Sequence, residues 1–122
     1  MKKHVLCVDD NAANMQLIHR VVELLGLYEV RSVHSAQLAL KAIADRAPDL
    51  MLIDLVMPGM DGFALLATLK QMPEMDRCCF VAVTADVSAT SSSKCLAAGF
   101  HHYVSKPYEL KELHALIKRV LA

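Results

Sequence analysis

The chain has 122 residues, 13 Lys or Arg against 13 Asp or Glu, and a hydrophobic content of 55%. Its length reads as one domain with a core that needs no staples, and its zero formal charge excludes a basic surface that would grip nucleic acid unaided. No apolar run reaches the roughly 18 residues of a membrane span, the apolar stretch after Lys3-His4 is too brief for a signal peptide, and Cys7, Cys78, Cys79 and Cys95 lack C-x-x-C spacing, so they read as the reduced thiols of a cytosolic protein.

Val5-Leu6-Cys7-Val8 is a strand-sized apolar run that opens into Asp9-Asp10-Asn11. Met15, Ile18, Val22 and Leu25 then recur at helical spacing, and Gly26 supplies a C-terminal cap. Tyr28 to Val33 is rich in β-branched and aromatic residues and predicts a second strand. Ser35 caps a second helix that runs to Arg46 and is stopped by Pro48. Leu50 to Ile53 is a third strand ending in Asp54, followed by the turn residues Pro58, Gly59 and Gly62. A helix is expected from Phe63 to Gln71, ahead of Pro73. Phe80 to Val83 forms a fourth strand ending in Thr84. Ser88 to Ala98 has the length of a helix, weakened by Ser91-Ser92-Ser93 and capped by Gly99. His102 to Ser105 is a fifth strand that runs into Lys106-Pro107, and Leu110, Leu113, Ile117 and Val120 lie on one face of a last helix.

Strands that are apolar throughout are covered on both faces. Their alternation with helices implies a parallel, doubly wound α/β sheet in one domain, residues 1–122.

Every strand except the second ends in a residue able to do chemistry: Asp9-Asp10, Asp54, Thr84 and Lys106. In a parallel sheet these ends share one edge, where ligands bind. Three carboxylates brought together repel one another unless a cation intervenes. Mg²⁺ suits them, since it takes oxygen ligands and favours one or two carboxylates plus a phosphate. A carboxylate nucleophile beside Mg²⁺, an ammonium and a hydroxyl describes an acceptor for a phosphoryl group.

The motifs Val8-Asp9-Asp10-Asn11, Asp54 to Gly62, Val83-Thr84-Ala85 and Ser105-Lys106-Pro107, in that order, resemble those of the receiver domain of two-component response regulators. The opening residues with Asn14 resemble receivers of hybrid kinases and single-domain cell-cycle regulators. The resemblance implies a flavodoxin-like (βα)5 fold with strand order 2-1-3-4-5. It also implies that Asp54 is the phosphoacceptor, and that Asp9, Asp10, Asp54 and the main-chain carbonyl of Val56 hold Mg²⁺. Thr84 and Lys106 would contact the phosphoryl group. Tyr103 would be the aromatic that switches the face made by the fourth helix, fifth strand and fifth helix. Val56 and Asp86 flank the phosphate position in this family and would tune the lifetime of the phosphoaspartate. A cis Lys106-Pro107 bond is expected as well.

The implied function is a phosphorylation-dependent switch, not an enzyme beyond its own phosphotransfer and dephosphorylation. Its donor is a histidine kinase or histidine phosphotransferase, and its output is a downstream protein target. No output domain is expected after the fifth helix, no direct nucleic-acid contact and no membrane insertion. The alternatives are a relay intermediate or phosphate sink, and a haloacid-dehalogenase-like phosphatase. The phosphatase would want an Asp at position 56, where this chain has Val. Nucleotide binding lacks both G-x-G-x-x-G and the Walker A pattern. His101-His102 resemble a ligand pair, but neighbours on a strand point to opposite faces. Cys7, Cys78 and Cys79 read as inert core thiols.

Overall fold

The computed structural model describes residues 3–26, 28–55, 61–84, 89–106 and 109–121, with backbone alone at 89–92 and 110. Five strands, β1 (Lys3–Val8), β2 (Tyr28–Val33), β3 (Leu50–Asp54), β4 (Cys79–Thr84) and β5 (His102–Ser105), pair in the order β2-β1-β3-β4-β5. Every pairing is parallel. Five helices alternate with them: α1 (Ala12–Leu25), α2 (Ala36–Asp45), α3 (Gly62–Leu69), α4 (Ala89–Ala98) and α5 (Leu110–Leu121). The topology is the doubly wound, flavodoxin-like arrangement expected from the sequence.

Residue parity along the strands sorts the core into two layers, as the pleat requires. Leu6, Val8, Met51, Ile53, Phe80 and Ala82 meet Ala39 and Ile43 of α2, Leu65, Leu66 and Leu69 of α3, and Cys95 of α4. On the other face Val5, Cys7, Leu50, Leu52, Val81 and Val83 meet Ile18, Val21 and Val22 of α1 and Leu113 and Ile117 of α5. β1, β3 and β4 are therefore covered on both sides. β2, at the sheet edge, is only half-buried, which explains why its sequence alternates polar with apolar residues.

The helix ends follow local chemistry. Asn11, Ser35 and Asp61 cap α1, α2 and α3 by accepting the N–H of Asn14, Leu38 and Ala64. Gly26 ends α1 at φ 69°, a left-handed conformation that glycine adopts without cost. α3 stops at Leu69, two residues earlier than expected. A single 3-10 turn at Pro73–Met75 then seats Met75 in the core. Cys7 and Cys78 are buried as expected, but Cys79 is only half-buried, because it begins β4 at the base of the sheet.

Candidate functional site

The C-terminal strand ends converge on one edge. After β1, the Asp9 N–H bonds to the Val33 carbonyl of β2 at 3.1 Å. The Asn11 N–H donates to Asp9 Oδ1 at 2.8 Å, while the Asn11 side chain accepts the Asn14 N–H at 3.0 Å. One turn thus starts α1 and fixes the Asp9 carboxylate. Asp54 is the last residue of β3. The next residue, Leu55, donates its N–H to the Val83 carbonyl and accepts the Gly62 N–H, each at 3.1 Å, so the chain around Asp54 is held from β4 and from the start of α3.

Thr84 ends β4, is 2% exposed, and accepts the Lys106 N–H on its carbonyl at 2.7 Å. Lys106 follows β5 and sends its ammonium into the cluster. Its Nζ lies 3.1 Å from Asp9 Oδ2 and 3.4 Å from Asp54 Oδ2.

Asp9, Asp10 and Asp54 each present a carboxylate oxygen within 4.8 Å of the others. Asp9 and Asp54 are buried and Asp10 is exposed, so the cluster has a closed floor and one open side. One ammonium against three carboxylates leaves an excess of negative charge at partly desolvated positions. That charge disposition, with hard oxygen donors and an opening for water, fits a divalent cation of the Mg²⁺ type. Just below, the buried Cys7 thiol is pushed up to about 12, first by its burial and then by the Asp9 carboxylate. It stays protonated and takes no part in chemistry at neutral pH.

The structure brings together Asp9, Asp10, Asp54, Thr84 and Lys106 from four separate segments. Tyr103 stands three residues before Lys106, on the face toward α4, half-buried, and lines a groove with Leu96, Leu116 and Arg119. The expectations for Val56, Asp86 and the Lys106-Pro107 bond fall on residues 56, 86 and 107, outside the described residues. His101 and His102 do not form a ligand pair: the His101 Nδ1 accepts the Phe80 N–H at 3.0 Å. Sequence reasoning missed the double duty of Asn11. An Asn directly before a helix and three residues from its N–H partner is a capping signal that could have revealed it.

With fold and site in place, the family is clear. The response regulator receiver domain model matches residues 5–118, and the chain belongs to that family. It is 36% identical over 115 residues to the signal transduction histidine-protein kinase BarA of Escherichia coli K12, a match spanning 94% of this chain and 12% of the kinase. It is 35% identical over 117 residues to the sensor protein GacS of Pseudomonas syringae, spanning 93% and 13%. The chain therefore covers about an eighth of the length of these kinases. A crystallised Chloroflexus aurantiacus protein described as a candidate response regulator superposes with a TM-score of 0.92 at 30% identity, covering 99% of this chain and 98% of that one. The chain is a receiver domain of the two-component type, similar to the receivers of sensor kinases. Among the described residues, no helix is long and apolar enough to cross a membrane.

Proposed function

We propose that this receiver domain, read as one unit over residues 1–122, takes a phosphoryl group onto Asp54 from a phosphohistidine on a histidine kinase or histidine phosphotransferase. In that transfer the P–N bond of the donor breaks, a P–O bond to an Asp54 carboxylate oxygen forms, and the donor imidazole leaves. The observation that carries the reading is the Asp9–Lys106–Asp54 bridge with Asp10 beside it. It is a pre-built set of charges at the ends of β1, β3 and β5, on the edge where the parallel strands finish.

Asp9, Asp10, Asp54 and the Val56 carbonyl are the groups that would hold Mg²⁺, which when bound neutralises charge developing on the transferred phosphoryl group. Lys106 pairs with a phosphoryl oxygen as a point charge. The Thr84 hydroxyl donates to another, and its movement frees space that Tyr103 takes up, changing the α4–β5–α5 face for a protein target. Val56 and Asp86 set how long the acyl phosphate survives water. Four cysteines outside any disulfide are in keeping with a cytoplasmic setting. The kinase relatives favour one further reading of the same chemistry, a relay intermediate that passes the group on. Transfer back to the phosphohistidine donor that outruns capture of any target would select it.

Intact mass after incubation with acetyl phosphate tests the acceptor chemistry. One phosphoryl adduct is expected with Mg²⁺, and none with EDTA or in Asp54→Asn. An adduct that persists in Asp54→Asn overturns the proposal.

A further inference from the structure

At the opposite edge of the sheet, the base of β4 is closed in an unusual way. The first β4–β5 pair is Val81 with His102. One residue below, the Phe80 carbonyl accepts the His101 N–H at 2.8 Å, and the Phe80 N–H donates to the His101 Nδ1 at 3.0 Å. In a continued parallel ladder that N–H would find a backbone carbonyl on the neighbouring strand. Here the chain arrives from α4 through Gly99 at φ 112°, and the imidazole stands in for the carbonyl. Phe80 is buried, and its ring lies nearly parallel to the imidazole, with centroids 5.9 Å apart and planes at 18°.

We infer that His101 is a proton-sensitive latch: its neutral imidazole ties the base of β4 to the α4–β5 connection, and protonation at Nδ1 releases it. A backbone N–H only donates, so Nδ1 must be unprotonated for the bond to exist. Adding a proton there sets donor against donor and leaves a buried N–H without its partner. His101 as a residue is exposed while its imidazole is partly covered by Phe80, so protons reach the ring without any opening of the core.

The charged neighbours favour the neutral form. Lys70, at the end of α3, holds its Nζ 5.3 Å from the Phe80 ring centre, and His102 is the next residue. Burial first, then Lys70 and His102, hold the His101 pKa below the usual 6.5, against a smaller upward pull from the Phe80 backbone. From α5, Glu112 and Arg119 line the same groove as His101, one of each sign.

The latch sits where α4 hands over to β5. Phe100 N–H bonds back to the Cys95 carbonyl of α4 at 3.1 Å, so release at His101 reaches the C-terminal turn of α4 and the groove lined by Leu96 and Tyr103. The consequence for signalling rests on the proposed output role of that face; the latch itself does not.

The test uses the unphosphorylated protein, so a failed phosphotransfer reading leaves it untouched. Hydrogen-exchange protection of the Phe80 amide, corrected for intrinsic rates and referred to the Leu52 amide in β3, is followed from about pH 8 to about pH 5. In wild type it should fall by about tenfold as the pH drops below 6.5. In His101→Asn, whose side-chain carbonyl accepts without titrating, it should stay level; in His101→Ala it should be low throughout. Imidazole ¹⁵N shifts provide a readout without mutation and should show the Nε2–H tautomer at high pH. Constant wild-type protection, an equal fall in His101→Asn, or an Nδ1–H tautomer overturns the latch.

Discussion

His4 shows how much one side chain can settle. It is 1% exposed, and its Nε2 accepts the Arg31 Nε–H at 2.7 Å. Arg31 also donates to the carbonyls of Ala42 at 3.0 Å and Arg46 at 2.7 Å, where α2 ends. A cation at a helix C-terminus satisfies orphan carbonyls and complements the helix dipole. The His4 main chain exchanges bonds with Asp49: its N–H donates to Asp49 Oδ2 at 2.7 Å, and its carbonyl accepts the Asp49 N–H at 2.8 Å. Burial, then Arg31 and Arg46, push the His4 pKa below 6.5 against the smaller opposing pull of Glu29 and Asp49. Above pH 6.5 both folded and unfolded chains carry neutral His4, and its contribution is complete. Below it the unfolded chain takes up a proton that the folded chain resists, so stability declines until the folded-state pKa is passed. The loss should be roughly 1 kcal/mol per pH unit within that window. Urea melts between pH 8 and pH 5 should show the decline in wild type and a shallower one in His4→Gln; equal slopes would contradict it. Nothing in the sequence announced this network, because His4 and Arg31 are 27 residues apart and each alone looks like an edge-strand surface residue.

Among the elements, the strands were the most legible. Leu50 to Asp54 and Cys79 to Thr84 are apolar runs closed by a polar residue, a pattern that only doubly covered strands can sustain. The α3 region was less so. Pro73 reads as a stop, yet it begins a 3-10 turn that seats Met75, because proline's fixed φ suits a helical first turn and the buried partner decides the rest. The junction of β3 and α3 also carries a demand that spacing does not reveal. A Cβ on Gly62 would lie 2.7 Å from the Asp54 carbonyl oxygen and 2.9 Å from Leu55 Cα, both backbone atoms unable to step aside. Helix propensity alone would make Gly62→Ala stabilising, by less than about 1 kcal/mol at this first helical position. The overlap should reverse the sign, costing about 1–3 kcal/mol net and slowing phosphorylation by displacing Asp54. Urea denaturation decides it, and a variant as stable as wild type would refute the close approach as a constraint.

At the scale of the molecule, the parallel sheet gives its two edges different work. The C-terminal edge gathers Asp9, Asp10, Asp54, Thr84 and Lys106 from segments that are distant in sequence, and this edge was readable because each residue lies at or just after the end of a strand. The N-terminal edge holds His4 and His101, each with its pKa held below 6.5 and each accepting an N–H bond. Its role emerged only from three-dimensional contacts. The α4–β5–α5 face links the edges: Lys106 lies above it at the end of β5 and His101 below it at the start. This layout predicts that chemistry on one edge is read out along β5. Its central premise is that Asp54, and not either neighbouring carboxylate, takes the phosphoryl group. Borohydride reduces an acyl phosphate to the alcohol and so marks the acceptor residue as homoserine. After incubation with acetyl phosphate and Mg²⁺, reduction and peptide mapping should place that mark at position 54 alone. A mark at Asp9 or Asp10, or none under conditions that label another receiver, would contradict the account.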